Sequence, residues 1–342
     1  MKKLLLIMIV ILLAFCGGVF YLYQSLWGPG VNNVAEYELY IPTGASYSDV
    51  KNHLVSENIL KSPFLFDRLS DQMSYKKDEV KSGKYVIKPE SSLRELISKL
   101  RSGSQDPIDI TFNNVRTIED LAGRISNQIE PDSMELLNVL LNKANTIDNG
   151  YSRETIPAMY LPNTYQVYWN MTSQEFVDRM EKEHNKFWQI KGRRAKAAAK
   201  DLTAIEISIL ASIVQKESNS TSEQPIIAGV YLNRLRRGMP LQADPTVVFA
   251  TGDFTIKRVL NKHLLYQSPY NTYLNKGLPP GPICIPETST IDAVLNAEDH
   301  KFLYFCAKPG YNGGHLFAKN LIDHNKNART YHRWLSREGI LK

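Results

Sequence analysis

Residues 202–217, LTAIEISILASIVQKE, carry an apolar stripe that ends on a carboxylate, so burying the stripe takes the carboxylate toward the core. Thr203 with Glu206 reads as a capping box that starts a helix. From there Glu206, Leu210, Ile213, Val214 and Glu217 fall at helical spacing on one face. Glu217 is then partly desolvated, and the carbonyl dipoles of the helix C-terminus also disfavour its ionised form. Both effects raise its pKa above the unperturbed value of roughly 4.3. A carboxylic acid that keeps its proton near neutral pH is what general-acid cleavage of an ether or acetal oxygen needs. The stripe alone leaves a plainer reading open, in which Glu217 marks the point where the helix ends and the chain returns to water.

The 342 residues suffice for two modest domains with cores of their own. Met1, Lys2 and Lys3 precede an uncharged stretch at 4–23, LLLIMIVILLAFCGGVFYLY. As a helix it would span roughly 30 Å, the thickness of a bilayer core. A cleaved signal peptide would have a shorter apolar region followed by small residues. Phe15 is too bulky before Cys16 for lipoprotein processing. The expectation is an uncleaved single-pass anchor in the cytoplasmic membrane, with Lys2 and Lys3 inside and everything after the span outside. The formal charge is +6, densest in KGRRAKAAAK at 191–200. Nucleic acid is excluded as the partner of an exported domain; a solvated helix face, an acidic polymer or anionic headgroups all fit. Cys284 and Cys306 are the cysteines outside the anchor, and two cysteines define no disulfide framework.

A Gly/Pro/Asn tether at 27–33 leads into three strand-then-helix units. Their helices start at Ser46/Asp49, Ser92/Glu95 and Thr117/Asp120, each followed by apolar residues at helical spacing. Unequal spacing argues against a solenoid and for small βα modules packed together. The middle unit, near 82–103, resembles the glycan-binding LysM module; a structural spacer is the alternative. Composition shifts toward Pro, Tyr and Met near 151–162. The expected division is therefore 1–33 tip, anchor and tether, 34–150 βα modules, and 151–342 a second domain. That second domain reads as helices at 173–200, 202–217 and 225–237, a loop-rich stretch at 238–286, a strand–turn–strand from FLYFCAK to HLFAKN, and a helix near 322–335. The fold class is α+β: an N-terminal transmembrane helix, LysM-like βα modules and a mixed α+β catalytic domain.

The stretch 238–286 is long for a connection and rich in amides and aromatics. LQADPTVVF holds Gln242 and Asp244, SPYNTY holds Tyr270, Asn271 and Tyr273, and the prolines of GLPPGPI preset their backbone. Amides, hydroxyls and flat aromatic faces hold sugar rings, although each loop alone reads as an ordinary turn. No G-x-S-x-G elbow, Walker A, H-E-x-x-H or CxxC is present. The seven histidines lack metal-ligand spacing, and His315 reads as a hydrogen-bonding turn residue. A site around Glu217 with no metal or cofactor remains.

ASIVQKES, VYLNRLRRGMPLQADPTV, SPYNTYLNKGLPPGPI and YLYF with GGHLF occur in the order seen in membrane-bound endolytic murein transglycosylases, which the chain resembles from Tyr160 onward. The resemblance implies Glu217 as the catalytic acid/base, and Asn233, Gln242, Asp244, Tyr270, Asn271 and Tyr273 as substrate-binding cleft positions. It implies cleavage of the β-1,4 bond between N-acetylmuramic acid and N-acetylglucosamine in nascent strands, leaving 1,6-anhydromuramoyl ends and terminating elongation. The implied partners are peptidoglycan strands, the membrane through the N-terminal helix, and peptidoglycan synthases. Three departures stand out: Gln215 for a second glutamate, Pro157-Ala158 for Glu-Gly, and Asn163 for an aspartate. Gln215 is two residues from Glu217, about 200° around the helix, so it cannot share that face. Two other readings stay open: a lysozyme-like hydrolase with Asp244 as second carboxyl, and a non-catalytic wall-binding or scaffold protein.

Overall fold

The computed structural model describes residues 27–141, 150–310 and 313–339, together with 7–9, 11–13, 15–18 and 23. The chain forms two compact units, each described by itself. Among the described residues no helix is long and apolar enough to cross a membrane. The expected span at 4–23 falls in part on residues outside the described ones.

The first unit comprises Met1–Ile110, Gln128–Pro131 and Tyr165–Thr172. Its elements are β1 (Tyr37–Ile41), α1 (Tyr47–Ser56), α2 (Pro63–Gln72), β2 (Gly83–Ile87) and α3 (Leu93–Ser102). Capping boxes at Ser46/Asp49 and Ser92/Glu95 start α1 and α3, Pro63 opens α2, and Gly103 closes α3 in the left-handed region. Strands β1 and β2 pair antiparallel, with Leu39 opposite Tyr85. Leu39, Ile41, Tyr85 and Ile87 bury their side chains with Leu54, Phe66, Ile97 and Leu100 of the helices. The first two strand-helix units are therefore one body with one core. A lone pair of strands is marginal in water and needs helices over it.

The second unit comprises Thr111–Asn127, Asp132–Thr164 and Ser173–Lys342. Strand β3 (Ile108–Phe112), of which Thr111 and Phe112 fall in this unit, precedes α4 (Ile118–Ser126) and α5 (Ser133–Leu140). A 3-10 turn at Ile156–Met159 then leads to β4 (Asn163–Val167), the strand paired with β3. Residues 111–127 thus belong with the C-terminal unit, whereas the sequence suggested a division near 150. The physical reason is bonding: Ile285 N–H donates to the Val115 carbonyl at 2.9 Å, and Asn114 N–H donates to the Glu287 carboxylate at 3.2 Å.

The chain continues through α6 (Ser173–Gln189), α7 (Arg193–Ala198), α8 (Ala204–Glu217), α9 (Gln224–Arg236), α10 (Asp244–Thr251), α11 (Asn261–Leu264), α12 (Thr288–Leu295), β5 (Tyr304–Ala307), β6 (His315–Ala318) and α13 (Leu321–Arg337). The expected helix at 173–200 is two helices, because Lys191 and Gly192 adopt positive φ between them. The expected loop at 238–286 contains α10 and α11, with Pro245 in the first turn of α10. The hairpin β5–β6 forms as expected, with Phe305 opposite Phe317. Cys284 and Cys306 are both free, and burial pushes the Cys284 thiol up to about 11.

Helix α8 is more deeply set than a one-faced stripe: residues 207–214 are all buried. Its Ile207, Leu210 and Ile213 pack with Ile227 and Tyr231 of α9 and with Ile291 and Val294 of α12. An ion pair from the buried Arg193 Nε to the half-buried Asp292 Oδ1 at 2.7 Å ties α7 to α12. Gly229 lets α9 approach the loop before β5, since an added Cβ would come 2.6 Å from the Glu298 carbonyl oxygen and 2.6 Å from His300 Nε2. Gly229→Ala should therefore destabilise the protein, because the backbone clash outweighs the gain of roughly 1 kcal/mol in helix propensity. A melting temperature equal to or above that of the native chain would refute this account.

Candidate active site

Glu217 is the last residue of α8, and its carboxyl enters a cleft of about 800 Å³ lined also by Asp244, Pro245, Phe249 and Ile283. The capping box at Thr203/Glu206 fixes where α8 starts, and therefore where Glu217 ends it. Tyr231 of α9 donates its hydroxyl proton to Glu217 Oε1 at 2.6 Å. Burial pushes the Glu217 carboxyl up to about 7, and the nearby charge of Asp244 adds to the rise. The Tyr231 hydrogen bond and the Arg234 guanidinium act against it. Burial and the neighbouring Glu217 hold the Tyr231 phenol well above its ordinary value, so it stays a donor. The rise expected from position alone thus has burial as its leading cause.

Asp244 begins α10, and its Oδ1 accepts a hydrogen bond from Tyr273 Oη at 2.6 Å. Burial and Asp244 together raise the Tyr273 phenol. Tyr270 packs its ring 4.8 Å from that of Phe249, which lines the cleft. Gln242 is exposed, adopts a φ of 51°, and lies 3.5 Å from Arg234 Nη1 through its Oε1.

Two of the expected cleft residues turn inward. Asn233 donates to the His300 and Phe302 carbonyls at 2.7 and 3.0 Å, and so ties α9 to the loop before β5. Asn271 is fully buried, donates to the Leu264 and Tyr266 carbonyls at 2.9 Å each, and accepts from Tyr273 N–H at 3.0 Å. Both hold loops in shape. Asn271 does so directly beneath Tyr273.

The three departures lie outside the lining of the cleft. Gln215 Oε1 accepts from Glu287 N–H at 2.6 Å, so its side chain points away from Glu217, as the helical angle requires. Pro157 and Ala158 are buried in the 3-10 turn. Asn163 is exposed at the start of β4.

Several residues of the site carry no sequence signal of their own. Tyr231 reads as one more apolar residue of a stripe, and only the packing of α8 on α9 sets its hydroxyl on Glu217. Arg234 is buried; its Nε donates to the Leu303 carbonyl and its Nη1 to the Leu241 carbonyl, each at 2.7 Å. Glu223 accepts from both His315 N–H and His315 Nδ1 at 2.8 Å, which accounts for the expected hydrogen-bonding role of His315. Its carboxyl is held below the usual range by those bonds, against the opposing effect of burial. Among the described residues no group of three or more His, Cys, Asp or Glu could hold a metal ion.

The pattern of the YceG-like family matches residues 39–330. Over 333 residues the chain is 28% identical to a protein of Bacillus subtilis named endolytic murein transglycosylase, covering 92% of this chain and 90% of that one. It is 26% identical over 350 residues to a protein of the same name from Streptococcus pneumoniae, covering 92% of this chain and 62% of the longer relative. A crystal structure of a yceG-like protein from Listeria monocytogenes is similar with a TM-score of 0.57 and 26% identity, covering 86% of this chain and 99% of that one.

The raised carboxyl has a consequence for stability. The folded state favours the protonated form of Glu217, with a pKa of about 7 against an ordinary 4.5. This group imposes no ionisation cost below pH 4.5, and a growing one as pH rises to 7. Glu217→Gln carries no such cost. Its stability relative to the native chain should therefore increase between pH 4.5 and 7, read from urea unfolding at several pH values. A constant difference across that range would mean that Glu217 is not desolvated.

Proposed function

This chain belongs to the YceG-like family, and from that membership we infer that it is an endolytic murein transglycosylase, a lyase acting within peptidoglycan glycan strands. The names of its relatives support the activity. The observation that carries the chemistry is the Glu217 carboxyl, raised to about 7 by burial and set in a cleft of about 800 Å³. Glu217 protonates the departing glycosidic oxygen at the MurNAc–GlcNAc β-1,4 bond as the bond to C1 breaks. Its carboxylate then takes the proton of the C6 hydroxyl of the same muramoyl residue while O6 bonds to C1. The product is a 1,6-anhydromuramoyl end, and one carboxyl serves as acid and then base with no water consumed.

Tyr231 positions the Glu217 carboxyl through its 2.6 Å hydrogen bond, and Tyr273 positions Asp244. Tyr270, Tyr273, Gln242 and Asp244 bind sugar, whereas Asn233 and Asn271 support the loops that carry them. A second reading, lysozyme-like hydrolysis, draws on the presence of Asp244 with Glu217 in one cleft, since glycosidases employ two carboxyl groups.

Mass spectrometry of products from uncrosslinked strands treated with the full-length chain distinguishes these readings. Internal fragments with anhydromuramoyl ends are expected. Glu217→Gln should lose on the order of 10²–10⁴ in rate. The native rate should fall as pH rises through about 7, where Glu217 loses its proton. Fragments heavier by one water would establish the hydrolase instead, and no cleavage at all would leave a wall-binding or scaffold protein.

The uncharged stretch at 4–23, following Lys2 and Lys3, supports a single-pass anchor in the cytoplasmic membrane with the catalytic residues outside. An anchored enzyme reaches glycan close to the membrane, which suits the termination of newly polymerised strands beside their synthases. The LysM-like stretch near 82–103, with its capped helix, supports glycan binding by the N-terminal residues. Releasing the protein from the membrane by replacing residues 1–26 with a cleavable signal peptide should lengthen the glycan strands in cells. An unaltered length distribution would remove the anchor from this account.

A further inference from the structure

The cleft that holds Glu217 is also lined by four cations: Arg116, Lys216, Lys257 and Arg258. They come from three separate places: the turn before α4, the end of α8, and the loop between α10 and α11. Among the described residues none of the four forms an ion pair with a carboxylate. Two are held in place by uncharged partners. The Arg116 guanidinium lies 3.7 Å from the centre of the Phe254 ring, and Lys216 Nζ donates to Asn114 Oδ1 at 3.1 Å. The acidic groups in the lining are Glu217 and Asp244.

A chain with a formal charge of +6 spreads some excess lysine and arginine over any surface. Gathering four unpaired cations around one concavity is different, because their mutual repulsion opposes folding and a bound anion relieves it. The sugar rings of a glycan carry no charge and give such a wall little to bind. The negative groups of a murein strand are carboxylates, chiefly those of the peptides joined through the lactyl group of each muramoyl residue.

We propose that Arg116, Lys216, Lys257 and Arg258 make the cleft selective for glycan strands whose stem peptides carry free carboxylates. This rests on the transglycosylase reading and names the substrate class of that same site. The cations bind the peptide carboxylates beside the scissile bond and hold the muramoyl residue over Glu217. Salt weakens the selection, because Lys257 and Arg258 are exposed and screened over a Debye length of roughly 8–10 Å.

The test uses full-length Glu217→Gln protein in detergent micelles, so that binding is read without turnover. Two fluorescent uncrosslinked strands are compared, one with free-acid stem peptides and one with the same carboxylates amidated. The free-acid strand should bind about tenfold more tightly, as expected for two or more solvent-facing charge pairs. Adding Lys257→Ala with Arg258→Ala, or Arg116→Gln separately, should shrink that ratio toward one, and so should added salt. Equal affinity for the two strands, or a ratio that survives both sets of substitutions, overturns the proposal. Product analysis of the native chain on the same strands is separate. Absence of anhydromuramoyl ends there would overturn the transglycosylase reading while the affinity ratio still decided this one.

Discussion

Burial of α8 on every side is the constraint from which the rest of the C-terminal unit follows. An apolar helix packed by α9 on one flank and α12 on another has one fixed axis and one fixed end. The end is Glu217. Because the surrounding core is close-packed, the carboxyl is largely desolvated even where it meets the cleft, and ionisation there is unfavourable. Tyr231 supplies one hydrogen bond from the neighbouring helix, enough to orient the group without ionising it outright near neutral pH.

Around that fixed carboxyl the loops are held by groups that look like ligand-binding residues and are spent on the protein itself. Asn233 ties α9 to the chain before β5, and Asn271 holds the turn that presents Tyr273. Buried polar groups demand partners, and these amides find them in backbone carbonyls. Arg234 works in the same way, joining the Leu241 and Leu303 carbonyls, so the loop carrying Asp244 and the start of the hairpin are gripped by one side chain of α9. The cleft lining includes Glu217, Asp244 and Phe249 and neither asparagine.

Much of this was readable in the sequence. The capping boxes at Ser46, Ser92, Thr117 and Thr203 all form, because a cap is a bond between residues three apart and needs nothing distant. The α+β class and the β5–β6 hairpin were legible for the same local reason. The helix at 173–200 read as continuous because Gly192 is a single residue in a strongly helical context. The short helices α10 and α11 were hidden within a proline- and glycine-rich stretch. The pairing of β1 with β2 across two intervening helices left no local trace, since strand pairing is a long-range choice.

The sequence by itself determined that a carboxylate would end an apolar helix, where that helix would begin, and that amide- and aromatic-rich loops would follow it. Those are matters of spacing along one chain. Only the tertiary structure decided that Tyr231 would bond Glu217, that Asp244 would share its cleft, that Asn233 and Asn271 would turn inward, and that four cations from three separate stretches of the chain would stand around the same opening. Each of these joins residues far apart in sequence, and what brings them together is the shape left when helices of given girth pack around α8.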